Sequence, residues 1–142
     1  PNIDDEYKLN DTKLKVISIS DNCDELNDTS IVLKVTYKNN SFLLTGDATK
    51  NVELNILDKD IKSDLLKVSH HGSNDASSAQ FLNKVKPDYA VISVGENNDY
   101  HHPHHVTLQK LDKLNTKVYR TDLNGNIIVY SDGNNIKVKK EK

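Results

Sequence analysis

Along the chain, apolar and polar positions alternate over Lys13–Ile19, Ile31–Tyr37 and Ser41–Thr45, where β-branched residues also gather, and this predicts three strands. Asn39-Asn40 marks a tight turn between the second and third. The rhythm then lengthens. Val52, Leu54, Ile56 and Leu57 recur at helical spacing and predict a short helix near Thr49–Leu57. A strand is expected at Asp64–Ser69, then a helix near Ser77–Val85 with Phe81, Leu82 and Val85 on one side, stopped by Pro87. Tyr89–Val94 is the most strand-like run. Pro103 opens a third helix, His104–Leu114, with Leu108, Leu111 and Leu114 inward. Three last strands are expected at Lys117–Thr121, Asn126–Tyr130 and Ile136–Lys139, spaced by Asn124-Gly125 and Asp132-Gly133. The order βββαβαβαβββ predicts an α/β fold with a partly parallel sheet and successive strands side by side.

Composition narrows the classes. A chain of 142 residues with 35% apolar content makes one domain with a modest core. Lys and Arg number 19 against 21 Asp and Glu, a formal charge of −2. That excludes a basic glove for nucleic acid, so any such contact must rest on a local patch or a metal. The longest apolar runs, Ala90–Val94 and Ile127–Tyr130, are too short to span a bilayer, and no secretory h-region is legible. Cys23 is the single cysteine, which rules out an intrachain disulfide and a cysteine-rich zinc site. The chain has no methionine and begins at Pro1, so it reads as a processed product or a piece of a longer protein.

The candidate chemistry lies directly after the strands of the alternating section. Gly46-Asp47 follows the third strand, and His70-His71-Gly72-Ser73 follows the fourth. Gly95 follows the fifth and leads into His101-His102-Pro103-His104-His105. Asp47 to His71 is 24 positions, and His71 to Gly95 is again 24. That is one helix plus one strand with tight turns, which returns a parallel chain to the same edge, where open α/β sheets place ligands. All six histidines fall in these two loops. Imidazole and carboxylate at neighbouring strand ends can share a metal ion, zinc or manganese by their donor chemistry. The bland alternatives are that Asp47 caps the next helix, that Gly46 only permits the turn, and that the histidines are polar loop residues.

These segments resemble the metallo-β-lactamase-fold hydrolases, and more narrowly the hydrolase domain at the C-terminal end of ComEC-type DNA-uptake (competence) proteins and their free-standing relatives. The resemblance rests on Asn27–Leu33, Phe42–Ala48, Asp64–Ser73 and Pro87–Gly95, with Asn98, Tyr100, His102-Pro103-His104, Val118–Asp122 and Gly125. It implies that Asp47 matches a metal-bridging aspartate and His71 a later histidine ligand. His70 becomes a neighbouring ligand, second-layer group or substrate contact. His102 and His104 match an element that positions substrate or serves as general acid, while His101 and His105 fall outside the pattern. The superfamily's main metal motif, His-x-His-x-Asp-His, is absent, and the acidic cluster at Asp21–Asp28 has no histidine. The fold implied for residues 1–142 is therefore the C-terminal half of an αββα sandwich, with a two-metal site completed by an N-terminal half in the parent protein.

The resulting expectation is a metal-dependent hydrolase part, a phosphodiesterase or nuclease acting on DNA in competence-type uptake, inactive as this chain alone. The alternatives are a non-catalytic remnant or binding module of the same fold, and a hydrolase of another ester or phosphoester. A histidine-rich metal carrier fits less well, because the histidines stand at strand ends and not in a flexible tract. Nothing in the residues indicates a cellular location; the resemblance allows a membrane-attached or exported parent.

Overall fold

The computed structural model describes residues 1–19 and 25–142; Cys23 and the acidic positions 21 and 24 lie outside them. In the described residues the order is β1 (Glu6–Leu9), β2 (Thr12–Ser18), β3 (Val32–Tyr37), β4 (Asn40–Leu44), α1 (Lys50–Asn55), β5 (Leu65–Lys67), α2 (Ala79–Val85), β6 (Tyr89–Ile92), α3 (His105–Lys113), β7 (Lys117–Arg120), α4 (Thr121–Asn124), β8 (Ile127–Ser131) and β9 (Ile136–Lys140). Strands β1 to β7 form one sheet in sequence order, antiparallel from β1 to β4 and parallel from β4 to β7. The predicted α/β fold and its half-sandwich character hold.

Two elements differ from the expectation. Strand β1 pairs with β2 across the Asn10-Asp11 turn, yet every residue of β1 is exposed, so the alternation that betrays a half-buried strand is missing. The strand expected at Lys117–Thr121 ends at Arg120, and Thr121 instead opens the single-turn helix α4.

The register explains the core. Leu43, Leu66 and Ala90 lie opposite one another on β4, β5 and β6 and point to one face. Val52 of α1, Phe81, Leu82 and Val85 of α2, and Leu111 of α3 pack into the same buried cluster. The helices therefore cover that face. Local signals seat them: the Thr49 hydroxyl accepts from Asn51 N at 3.2 Å at the start of α1, and the Ser78 hydroxyl accepts from Phe81 N at 3.2 Å at the start of α2. The other face carries Leu33, Val35, Phe42 and Val91, all half-buried, and Leu44, which is exposed. Strands β8 and β9 leave the main sheet as a separate hairpin, tied to the β3–β4 turn by Asn39 N to Gly133 O at 3.0 Å and Ser131 Oγ to Asn40 Oδ1 at 2.7 Å. No helix of the described residues is long and apolar enough to cross a membrane.

Candidate functional site

The C-terminal ends of β4, β5 and β6 meet at one edge of the sheet, and three loops bring the predicted residues together there. After β4 the chain turns at Gly46, whose φ is +56° and whose missing Cβ would sit 3.1 Å from Ser30 Cβ. A side chain here would be strained and crowded at once. The turn leaves Asp47 with its backbone N–H donating to Ser30 Oγ at 3.1 Å and its carboxylate 42% exposed. Asp47 does not cap α1; Thr49 does.

After β5, His70 and His71 both adopt left-handed backbone, with φ of +47° and +52°. Two successive non-glycine residues in that region are costly, and they persist only where surroundings over-determine them. Here His70 N donates to Gly46 O at 3.2 Å, Ser69 Oγ donates to Ala48 O, and Ser73 N donates back to His70 O at 2.8 Å. The strain buys a reversal that points His71 at Asp47: its Nε2 stands 3.6 Å from Asp47 Oδ1.

The third loop closes over the second. Gly72, with φ of +83°, packs against Pro103 so tightly that a Cβ would come within 2.5 Å of Pro103 Cβ. His104 N donates to Gly72 O at 3.0 Å. The His102 ring meets the His70 ring edge-on at 5.6 Å and the His104 ring edge-on at 4.9 Å, and it stacks on Tyr100 at 5.6 Å. Asn98 holds His102 by its backbone, accepting from its N–H at 2.9 Å and donating to its carbonyl at 2.7 Å. Burial first, then the neighbouring His104, His70 and His71, pushes the His102 imidazole below the ordinary histidine range. His101 and His105 are exposed.

Hydrogen bonds fix two histidines in opposite tautomers. His71 Nδ1 lies 2.6 Å from Ser93 O, and a carbonyl can only accept, so Nδ1 carries the proton and, in the neutral ring, Nε2 turns a bare lone pair toward Asp47. His104 Nδ1 accepts from Asn74 N at 3.0 Å, so neutral His104 carries its proton on Nε2. The first arrangement is that of a metal ligand and the second that of a hydrogen-bond or proton donor.

Two ligands about 2.1 Å from one tetrahedral ion stand about 3.4 Å apart. The Asp47–His71 separation of 3.6 Å is close to that and too long for a hydrogen bond. The pair fits as two ligands. Among the described residues, however, no group of three or more His, Cys, Asp or Glu side chains is arranged to hold an ion. His70 in particular has its Nδ1 buried with no hydrogen-bond partner, against the His102 ring.

Residues 24–96 match the family model described as the metallo-beta-lactamase superfamily, which is half of the chain. The chain belongs to the metallo-beta-lactamase superfamily. Members of this superfamily generally bind divalent metals. Among curated relatives, the chain is 43% identical over 103 residues to ComE operon protein 3 of Bacillus subtilis (strain 168), covering 71% of this chain and 13% of that protein. It is 39% identical over 102 residues to competence protein ComA of Neisseria gonorrhoeae, covering 70% and 15%, and 37% identical over 103 residues to recombination protein 2 of Haemophilus influenzae, covering 72% and 13%. The matched region thus spans about one seventh or less of these relatives.

Several groups that shape the site carry no chemical signature in sequence. The Ser93 carbonyl is a backbone atom. Asn74 contributes only its N–H. Lys67, at the end of β5, has its ammonium pushed below the ordinary lysine range by burial, opposed by the nearby Asp47 charge, and donates to Val68 O at 3.1 Å. Thr45 Oγ1 donates to Lys67 O at 2.7 Å and ties β4 to β5 just below the site.

Proposed function

We propose that this chain is the C-terminal part of a metal-dependent hydrolase domain, a phosphodiesterase or nuclease acting on DNA during competence-type uptake. The observation that carries the reading is the His71–Asp47 pair: imidazole Nε2 held 3.6 Å from a carboxylate oxygen, with the opposite ring nitrogen anchored on a carbonyl. Asp47 and His71 would be metal ligands, with His70 beside them. An N-terminal half of the domain would add the remaining ligands and cover the apolar sheet face of Leu33, Val35, Phe42 and Leu44. A bound divalent ion, zinc or manganese, would supply Lewis acidity and hydroxide at neutral pH. His102 and His104 would meet the substrate, His104 with a proton on Nε2 available for a leaving group. The names of the relatives support DNA uptake as the setting, and a metal site would let a chain of net charge −2 bind a phosphate backbone.

The pairing of only two candidate ligands among the described residues favours a second reading, a module that keeps the fold without catalysis. One experiment separates them. The longer protein, with the residues upstream of Pro1 restored, is assayed for bound metal, DNA cleavage and hydrolysis of bis(p-nitrophenyl) phosphate. Tight metal and DNA cleavage, both lost in Asp47→Ala and nearly so in His71→Ala, are expected. A longer protein with neither metal nor turnover would establish the non-catalytic module, and one that cleaves only the small diester would replace DNA with another phosphoester.

A further inference from the structure

The peptide that anchors His71 is itself held from the far side. Ser93 C=O and Val94 N–H are two ends of one planar unit, so whatever fixes the N–H fixes the direction of the carbonyl. Thr121, 27 positions later, takes hold of that N–H: its Oγ1 accepts from Val94 N at 2.7 Å. The same hydroxyl donates to Val94 O at 2.7 Å. One hydroxyl thus clamps the backbone of the β6 terminus on both sides of Val94, using its single donor and one of its lone pairs. At the other end of the Ser93–Val94 unit, Ser93 O receives His71 Nδ1–H at 2.6 Å. Donation by the N–H strengthens the acceptor at the carbonyl, so the two bonds reinforce one another.

The clamp is well founded. Arg120 N donates to Asn124 Oδ1 at 3.0 Å, Gly125 N donates to Thr121 O at 3.0 Å, and the Arg120 guanidinium pairs with the Asp122 carboxylate. Together these hold α4 as a rigid turn with Thr121 at its head. This is also why the strand stops at Arg120.

We infer that Thr121 is a positioning residue for His71: by orienting the Ser93–Val94 peptide it holds His71 in the Nδ1–H tautomer, with the Nε2 lone pair turned toward Asp47. The inference rests on the metal-ligand reading only for its consequence. The tautomer is a property of the chain without metal and is measured as such.

The test is long-range 1H–15N NMR of histidine-labelled, metal-free chain at pH 8.5, with His71→Gln identifying the His71 signals. Wild type should show a predominant Nδ1–H tautomer. In Thr121→Val, which keeps the shape and loses both bonds, the ratio of Nδ1–H to Nε2–H should fall by about fivefold to tenfold, the worth of one hydrogen bond. The Val94 amide should exchange faster in the same variant. Thr121→Ser should match wild type, since the hydroxyl alone is required. If Thr121→Val does not fold, Thr121→Ala removes the same bonds with less bulk and takes its place. An unchanged tautomer in the folded valine or alanine variant, or a serine variant that behaves like them, overturns the assignment. Zinc titration of wild type addresses the metal reading separately, so failure of one does not pass for failure of the other.

Discussion

In β1–β3 the helix-side face is laced by lysine–carboxylate pairs: Lys13 with Glu6 at 2.6 Å, Lys15 with Asp4 at 3.0 Å and Lys34 with Asp60 at 2.9 Å. At the C-terminal ends of β4–β6 the ties are uncharged. Ser30 holds Asp47 N, Thr45 holds Lys67 O, Ser69 holds Ala48 O and Thr121 holds Val94. Exposed ion pairs are screened by salt and contribute little, whereas hydroxyl-to-backbone bonds are indifferent to salt and to pH near neutrality. The difference leaves Asp47, His71, His102 and His104 without a lysine or arginine partner among the described ion pairs.

The strongest way to sharpen this contrast is at His104. In the longer protein, His104→Ala should lower turnover by about 10²–10⁴-fold, the usual worth of general acid–base assistance, while bound metal stays at the wild-type level. Metal analysis beside the rate measurement checks it, and loss of metal would make His104 a ligand.

Next comes Gly72→Ala. The added Cβ would meet Pro103 at 2.5 Å on a residue with φ of +83°, so both crowding and backbone strain oppose it. We expect a loss of about 2–4 kcal/mol in urea unfolding. A neutral result would show that the two histidine loops are not locked together through this contact.

A smaller effect should come from Glu53, a buried residue of α1, which accepts from Ser77 N at 2.5 Å and Ser78 N at 2.8 Å. Burial pushes its carboxyl above the ordinary value of 4.5, against the pull of those donors. A raised acid contributes stability that is fully present below the unfolded value and lost as pH rises through the folded one. The stability difference between wild type and Glu53→Gln should therefore shrink from pH 4.5 upward. A difference that grows over that range would reverse the assignment.

The smallest effect is expected at the laced end. Glu6→Gln should leave the urea midpoint unchanged at 0.15 M salt, because its Lys13 partner is also solvent-exposed. A loss comparable to that of Gly72→Ala would erase the contrast between the two regions.

Much of the parallel section was legible in the chain because its strands and helices bury one face each, which leaves a periodic trace at Leu43, Leu66, Phe81 and Leu111. The placing of Asp47 and His71 at one edge followed from strand-end positions and equal spacing. Strand β1 was not legible, since Tyr7 and Leu9 are exposed and nothing in its alternation marks an inside. The capping alternative for Asp47 failed because Thr49, two residues on, took that role. Thr121 reads as the last residue of a strand by its β-branched side chain, and only the distant Val94 reveals that its hydroxyl is spoken for.

Strand order equal to sequence order has a consequence for assembly. Each strand can join the growing sheet beside the one made just before it, so no pairing waits on a distant partner and loop-closure costs stay small. The order also makes the clamp a late arrival. A nascent chain that has produced β6 and α3 already holds Asp47, all six histidines and the Ser93 carbonyl, but the peptide carrying that carbonyl is not clamped until α4 follows β7 and brings Thr121 to Val94.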